Sequence, residues 1–82
     1  MTEARKRHLK VLAALKERRF EAIAIRKLDD MHFLVVTADG ESVPFADHTG
    51  KHKTYRHAWQ IRSWLHEEFG IEGADIPVVV MS

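Results

Sequence analysis

The chain has 82 residues, of which 45% are hydrophobic and 30% charged, with a formal net charge of +1 and no cysteine. This length corresponds to a single small domain, residues 1–82, and excludes deep active sites of the barrel or doubly wound kind. The lack of cysteine excludes disulfides and thiolate zinc sites, and no apolar run approaches the roughly 18 residues that cross a membrane. We therefore expect a cytoplasmic protein with no membrane association.

Charge is distributed unevenly along the chain. Residues 1–27 hold nine Lys or Arg against three Glu, a net +6, whereas residues 28–82 hold four Lys or Arg against nine acids, a net −5. This asymmetry predicts either a basic contact surface or a basic helix that lies against acidic neighbours in the same fold or in a dimer.

The first predicted element is a helix from Glu3 to about Arg19. Its apolar positions recur every three to four residues, so they share one face of the helix. That face carries Ala4, His8, Leu9, Val11, Leu12 and Leu15. Phe20–Leu28 then alternates β-branched and polar residues, which favours a strand, with a continuation of the helix as the alternative.

An antiparallel hairpin is predicted next. His32–Ala38 has the strongest strand pattern in the chain, and Asp39-Gly40 after it predicts a type I′ turn, because both residues tolerate positive φ. The following strand, Glu41–Phe45, contains Pro44, which cannot donate to a sheet ladder and so indicates a sheet edge.

The second half of the chain predicts a loop, a helix and a strand. Residues 46–54 are polar, Tyr55–Phe69 has helical periodicity, and Gly70 supplies a left-handed end to that helix. Asp75–Met81 is a final strand, in which Pro77 again indicates an edge. Together these elements predict the α+β class, as a two-layer helix-on-sheet sandwich of order α-β-β-β-α-β with a mainly antiparallel sheet.

The final strand is apolar at all four positions of Val78-Val79-Val80-Met81. A strand at a sheet edge leaves its outer backbone groups unpaired, and proteins usually cover such an edge. We therefore favour a central position in the sheet, with pairing to another chain by strand addition as the alternative.

Three side chains of the second helix stand out. Trp59 and Trp64 lie on opposite flanks of its apolar stripe, where tryptophan typically covers the rim of a core. Base stacking would need both on one exposed surface, which this spacing does not give, whereas the two flanks suit a protein contact. Arg62 falls inside the stripe, which indicates either an aliphatic stem that reaches outward to water or an interaction with a buried carboxylate.

The loop before the second helix is basic, with Gly50-Lys51, Lys53 and Arg56 in close succession. Such a loop presents cations and free backbone N–H groups near a helix N-terminus, which suits a phosphate or another anion. This predicts an anion-binding corner, with an ordinary solvated loop as the alternative.

The layout of helix, three antiparallel strands and helix over residues 3–69 is similar to that of the double-stranded-RNA-binding domain. In that family a lysine-rich turn at the start of the last helix contacts phosphates across a groove. The resemblance places Gly50, Lys51 and Lys53 in that turn. Trp59 and Trp64 depart from the alanine-rich helix of the family, and the chain adds a further strand.

The histidines and carboxylates select no particular chemistry. His48, His52 and His57 match no standard zinc-ligand spacing, and the cations between them oppose a divalent ion. No nucleophile stands with a base at a spacing that indicates a reaction. We therefore predict no metal, no cofactor, no small-molecule substrate and no enzymatic activity.

Two functions fit these observations. The first is a small regulatory binding module that contacts nucleic acid phosphates through its basic N-terminal helix and its Gly-Lys loop, with contacts from Arg5, Lys6, Arg7, Lys10, Lys51, Lys53 and Arg56. The alternative is a protein-interaction adaptor or homodimer that uses the apolar last strand, with contacts from Trp59, Trp64, Val78 and Val80.

Overall fold

The computed structural model describes residues 3–47, 49 and 51–81. Within these residues it contains two helices, α1 (Glu3–Glu17) and α2 (Ala58–Phe69). Its strands are β1 (Ala22–Leu28), β2 (Met31–Ala38), β3 (Glu41–Pro44), β4 (Thr54–Tyr55) and β5 (Val78–Met81). The predicted α+β class and the order α-β-β-β-α-β are confirmed, with the two-residue strand β4 as an addition.

The strands form one mixed sheet in the order β3-β2-β1-β5, and β4 pairs with β2. β1, β2 and β3 are antiparallel neighbours, as predicted, whereas β5 runs parallel to β1. A parallel neighbour requires a crossover of the chain, and the crossover here contains α2. The sheet is therefore mixed rather than purely antiparallel.

Residues with positive φ mark the ends of the elements. Asp39 and Gly40 have φ of 54° and 75°, which is the type I′ pattern predicted for the β2–β3 hairpin. Gly70 has a φ of 66° and ends α2, and its N–H donates to the carbonyl of His66, as expected for a left-handed cap. Arg18 has a φ of 56° and ends α1.

The core lies between the two helices and one face of the sheet. Ile25 of β1 is in register with Leu34 of β2, and both belong to one buried cluster with Leu15 of α1 and Ile61 of α2. Because side chains alternate along a strand, the positions between these residues point to the opposite face. Neither α1 nor α2 covers that face, which we call the open face.

Two predictions about element boundaries are wrong. The helix expected over Tyr55–Phe69 begins at Ala58, because Thr54 and Tyr55 pair with β2 and form β4. The strand expected over Asp75–Met81 begins at Val78. The strand favoured for Phe20–Leu28 is confirmed from Ala22 onward, which excludes the alternative of a continued helix.

Two predictions about burial and position are wrong as well. Leu9, placed on the buried face of the first helix, is 43% exposed. β5 was expected in the centre of the sheet, but it lies at an edge with β1 as its neighbour. The segment carried two conflicting signals. Pro77 indicated an edge position, which is correct, and the apolar composition indicated a central position, which is not.

Candidate functional site

The segment that leads into β5 is fixed to α2. The guanidinium of Arg62 donates from Nη2 to the carbonyl of Ile76 over 2.9 Å, and the Ile76 side chain is buried. Gly73 packs so closely on α2 that a Cβ at this position would lie 2.8 Å from the Cβ of Arg62. Arg62 therefore binds a backbone carbonyl, where the sequence left open a carboxylate or water, and it positions the start of β5.

The pairing of β5 with β1 determines which backbone groups face outward. Ile25 is in register with Val78, and the N–H of Ile25 donates to the carbonyl of Pro77 over 2.9 Å. In a parallel ladder a residue bonds to the two residues that flank its partner, so Pro77 and Val79 bond to β1. The N–H and C=O groups of Val78 and Val80 then point away from β1, where no other strand of the described residues pairs with them.

The side chains of β5 are exposed on both faces of the sheet. Their exposed fractions are 39% for Val78, 47% for Val79, 71% for Val80 and 39% for Met81. The strand carries no charge and no bulge, and its preceding Pro77 lies before the outward groups. Apart from its short length of four residues, β5 therefore lacks the usual protection of a sheet edge.

The exposed surface of β5 continues onto the open face of the sheet. Leu28 is in register with Met31 on one side and with Met81 on the other. Leu28, Met31, Val79 and Met81 are exposed by 37% to 49% and form what we call the open-face patch. Large apolar side chains grouped in this way typically mark an interaction surface.

The other end of the open face is covered by the chain itself. His52 stacks on Phe33 with ring centroids 6.1 Å apart, and Val35 is buried. The exposure is therefore confined to the β5 side of the sheet, next to the unpaired edge.

The two tryptophans have different environments. Trp64 packs between Phe45 and Phe69, with ring centroids 5.1 Å and 5.3 Å away, so it is part of the core rim. Trp59 is 62% exposed and stacks on His57 at 6.2 Å. Of the four residues predicted to contact a protein, Trp59, Val78 and Val80 are accessible at the surface, and Trp64 is half-buried.

Three basic residues of α1, Lys6, Arg7 and Lys10, lie beside β3. The described side chains of Arg5, Lys6, Arg7 and Lys10 are all exposed. Lys10 forms an ion pair with Glu41 of β3 over 3.5 Å. Arg7 lines a cleft of about 300 Å³ together with His52, and carboxylates of Glu3 and Glu41 line the same cleft. Acidic side chains thus interrupt the basic surface at this point.

The Gly-Lys loop lies partly outside the described residues, because Gly50 and His48 are not among them. Lys51 and Lys53 are exposed on either side of His52. The loop is closed by its backbone, since the N–H of Asp47 donates to the carbonyl of Lys51 over 2.9 Å. The structure therefore brings this loop next to Arg7.

Arg56 lies in a different cavity of about 370 Å³, lined by Lys27, Asp30, His32, Arg56 and His57. The Nδ1 of His32 is 3.0 Å from the carbonyl of Arg56. This cavity shares no lining residue with the cleft of Arg7 and His52. Of the seven predicted phosphate contacts, Arg56 therefore lies in a different place from Arg7.

Metal and membrane features of the described residues can be stated briefly. No group of three or more His, Cys, Asp or Glu there has the arrangement of a metal site. Neither helix in the described part of the chain has the length and apolar character needed to span a bilayer. Burial raises the pKa of the Tyr55 hydroxyl above its ordinary value.

Leu28 and Met31 are surface residues that the sequence analysis did not select. Both flank the tight turn at Asp29 and Asp30. Apolar residues beside a hairpin turn do not by themselves indicate an interaction surface. Side chains alternate along a strand, so Leu28, three positions after the buried Ile25, points to the opposite face of the sheet. This alternation is the sequence signal that could have identified Leu28 as a residue of the open face. Their proximity to Met81 depends on the parallel pairing of β5, which no local pattern shows.

No protein-family model, no curated protein and no solved structure matches this chain.

Proposed function

We propose that this protein is a non-enzymatic, cytoplasmic binding module that binds another polypeptide by strand addition at the outer edge of β5. The observation that supports this best is the unpaired edge at Val78 and Val80, with every side chain of the strand exposed. A partner strand laid along β5 supplies the missing backbone hydrogen bonds and covers the valine side chains.

The open-face patch adds to the binding energy available at this edge. Main-chain hydrogen bonds alone give little sequence preference, whereas side chains that alternate between the two faces give specificity. On the open face a partner strand would lie next to Val79 and Met81, and on the helix side next to Val78 and Val80. We therefore expect ligands with apolar side chains on both faces of an extended segment.

Selection of peptides tests this proposal. Random octapeptides displayed on phage are selected on the protein immobilised at low density, so that neighbouring copies do not meet. We expect enrichment of extended, apolar peptides without Pro. The Val80→Glu variant places a carboxylate on the edge and is expected to lose that enrichment, whereas the matched Val80→Thr variant is expected to keep it. The proposal would be contradicted if Val80→Glu enriched the same peptides as the wild type. It would also be contradicted if the wild type enriched no peptide and the chain were monomeric.

A second candidate function is the binding of single-stranded nucleic acid, and one observation favours it. Trp59 is exposed and stacks on His57, which lines the cavity that also contains Lys27 and Arg56. Neither of these two cations forms an ion pair within the described residues. Aromatic side chains next to unpaired cations are typical of surfaces that stack bases and contact phosphates.

Fluorescence anisotropy with a labelled 20-nucleotide oligo(dT) tests the second candidate at 50 and 200 mM salt. We expect Trp59→Leu to weaken binding by about 5- to 150-fold, because base stacking contributes about 1–3 kcal/mol. Lys27→Gln and Arg56→Gln are each expected to reduce the salt slope by about 0.7, unlike the control Lys16→Gln on α1. An affinity unchanged by Trp59→Leu, or no binding at 50 mM salt, would exclude this function.

The phosphate contacts expected from the sequence on α1 and the Gly-Lys loop form a separate part of the second candidate. They comprise Arg5, Lys6, Arg7, Lys10, Lys51 and Lys53. The same titration with Lys6→Gln and Lys53→Gln tests them, and an unchanged salt slope in both variants would restrict any binding to the Trp59 cavity.

A further inference from the structure

The outward-facing backbone groups of β5 are spaced so that they can form hydrogen bonds with the same groups of a second copy of the strand. Val78 and Val80 each present one N–H and one C=O to the free edge, while Val79 between them bonds to β1. In an antiparallel ladder, a residue with outward groups exchanges two hydrogen bonds with the residue opposite it, and such pairs recur at every second position. A partner strand therefore needs two outward-facing residues with the same spacing.

We propose that the strand bound at this edge is β5 of a second copy of the chain, related by a two-fold axis that passes next to Val79. This inference rests on the proposed function and names its partner. Val78 lies opposite Val80 of the partner subunit, and Val80 lies opposite Val78 of the partner subunit. The two pairs form four hydrogen bonds and leave no outward N–H or C=O of these residues unpaired.

The side chains agree with this arrangement. On the open face Val79 meets Val79 of the partner subunit, and the open-face patches of both copies become continuous across the axis. On the helix side valine meets valine in both pairs. Isologous contacts of this kind require a self-complementary surface, and an uncharged strand of three valines fulfils that requirement.

Like charges do not oppose the assembly. Arg26 is in register with Val79 and is the cation nearest to the axis on the open face. Its counterpart in the partner subunit is three strand spacings away, about 14 Å, which exceeds the Debye length of about 8 Å at physiological salt. The joined sheet has the path β3-β2-β1-β5-β5-β1-β2-β3, a strand number within the ordinary range.

Disulfide trapping tests the inference, because the chain contains no cysteine of its own. In the proposed dimer the two Val79 positions form a non-hydrogen-bonded pair with Cα atoms about 4.5 Å apart, within the range for a disulfide. The Val79→Cys variant is therefore expected to form a covalent dimer with oxidised glutathione in buffer and not in 8 M urea. The matched control is Val78→Cys, whose two copies lie diagonally at about 7–8 Å and are not expected to cross-link readily.

The outcomes separate this inference from the proposed function. A covalent Val79→Cys dimer, together with a wild-type dimer in sedimentation equilibrium, supports both. If Val78→Cys cross-links faster than Val79→Cys, the proposed register is overturned. If neither variant cross-links above its level in urea and the wild type sediments as a monomer, the second copy is excluded as the partner. In that case peptide selection that depends on Val80 still supports strand addition by another protein, and its failure removes the proposed function as well.

Discussion

Lys27 and Val80 lie side by side on neighbouring parallel strands, and their side chains point to the helix-covered face of the sheet. Lys27 is half-buried there, whereas Val80 is 71% exposed and is the most exposed large apolar residue of the described chain. The difference in exposure between these two neighbours shows that the helices cover β1 but not β5. The last strand of the sheet is held by its backbone and carries an uncovered surface.

The first prediction concerns a charge at Val80. In Val80→Glu the carboxylate lies beside Lys27, and such an opposite-charge pair on adjacent strands offsets part of the lower strand propensity of Glu. We expect the free energy of unfolding, measured with urea at low protein concentration, to change by no more than about 1 kcal/mol. Self-association, measured by sedimentation equilibrium, is expected to disappear because each carboxylate would be buried against a valine of the partner.

The control for this variant is Val80→Thr, which keeps the β-branched shape without a charge. It is expected to retain association. A Val80→Glu variant that still dimerises as tightly as Val80→Thr would show that the β5 edge is not the contact.

The second prediction compares proline at two adjacent positions of β5. The N–H of Val80 points outward, so Val80→Pro removes a hydrogen bond of the assembly and none within the chain. The N–H of Val79 points to β1, so Val79→Pro removes an internal ladder bond. We expect Val80→Pro to abolish dimerisation with a smaller fall in Tm than Val79→Pro, both measured on the dilute protein. The reverse order of the two Tm values would contradict the register of β5.

The third prediction concerns Gly73, which lies against α2. An added Cβ would be 2.8 Å from the Cβ and 3.0 Å from the Cγ of Arg62. We expect Gly73→Ala to lower the free energy of unfolding by about 1–3 kcal/mol, as is typical of overpacking. It should also increase the amide exchange of β5, because Arg62 holds the carbonyl of Ile76 just before this strand.

A matched comparison is available at Gly70, where an added Cβ has only Arg18 within reach, at 3.8 Å. There the cost comes from the left-handed backbone alone and is expected to be about 1–2 kcal/mol. Gly70→Ala should leave the amide exchange of β5 closer to that of the wild type. If both variants loosen β5 equally, Gly73 does not act through Arg62.

The fourth prediction concerns alkaline pH. Burial raises the pKa of the Tyr55 hydroxyl above 10.0 in the folded state, because desolvation disfavours the phenolate. The folded state then binds more protons than the unfolded state above the unfolded pKa, so stability falls as the pH rises through that value. We expect Tyr55→Phe to lose less stability than the wild type between pH 8 and pH 11 in urea titrations. Equal losses would show that Tyr55 does not contribute.

Local patterns predicted those parts of the fold that depend on neighbouring residues. The type I′ turn at Asp39 and Gly40 follows from the φ preferences of two adjacent residues, and the end of α2 follows from Gly70. The predicted start of α2 at Tyr55 was wrong. Tyr55 pairs with His32, 23 positions earlier in the sequence, and this pairing takes precedence over helical periodicity. No local pattern contains that contact.

The candidate site could be predicted only in part for the same reason. The apolar composition of β5 indicated either a central strand or a strand that pairs with another chain, and Pro77 indicated an edge. The parallel pairing with β1 decides between these signals, and it also brings Leu28 and Met31 next to Met81. Such contacts connect segments that are distant in the sequence, so composition and periodicity do not show them.

Amide hydrogen exchange tests the central claim most directly, because the outward N–H groups of Val78 and Val80 bond only to the partner strand. At micromolar to millimolar protein concentrations we expect both amides to become protected together, with a concentration dependence that matches dimer formation. The N–H of Val79, which bonds within the chain, should be protected at every concentration. If the amides of Val78 and Val80 exchange at the rate of an unstructured peptide even at the highest concentration, β5 does not pair with a second copy.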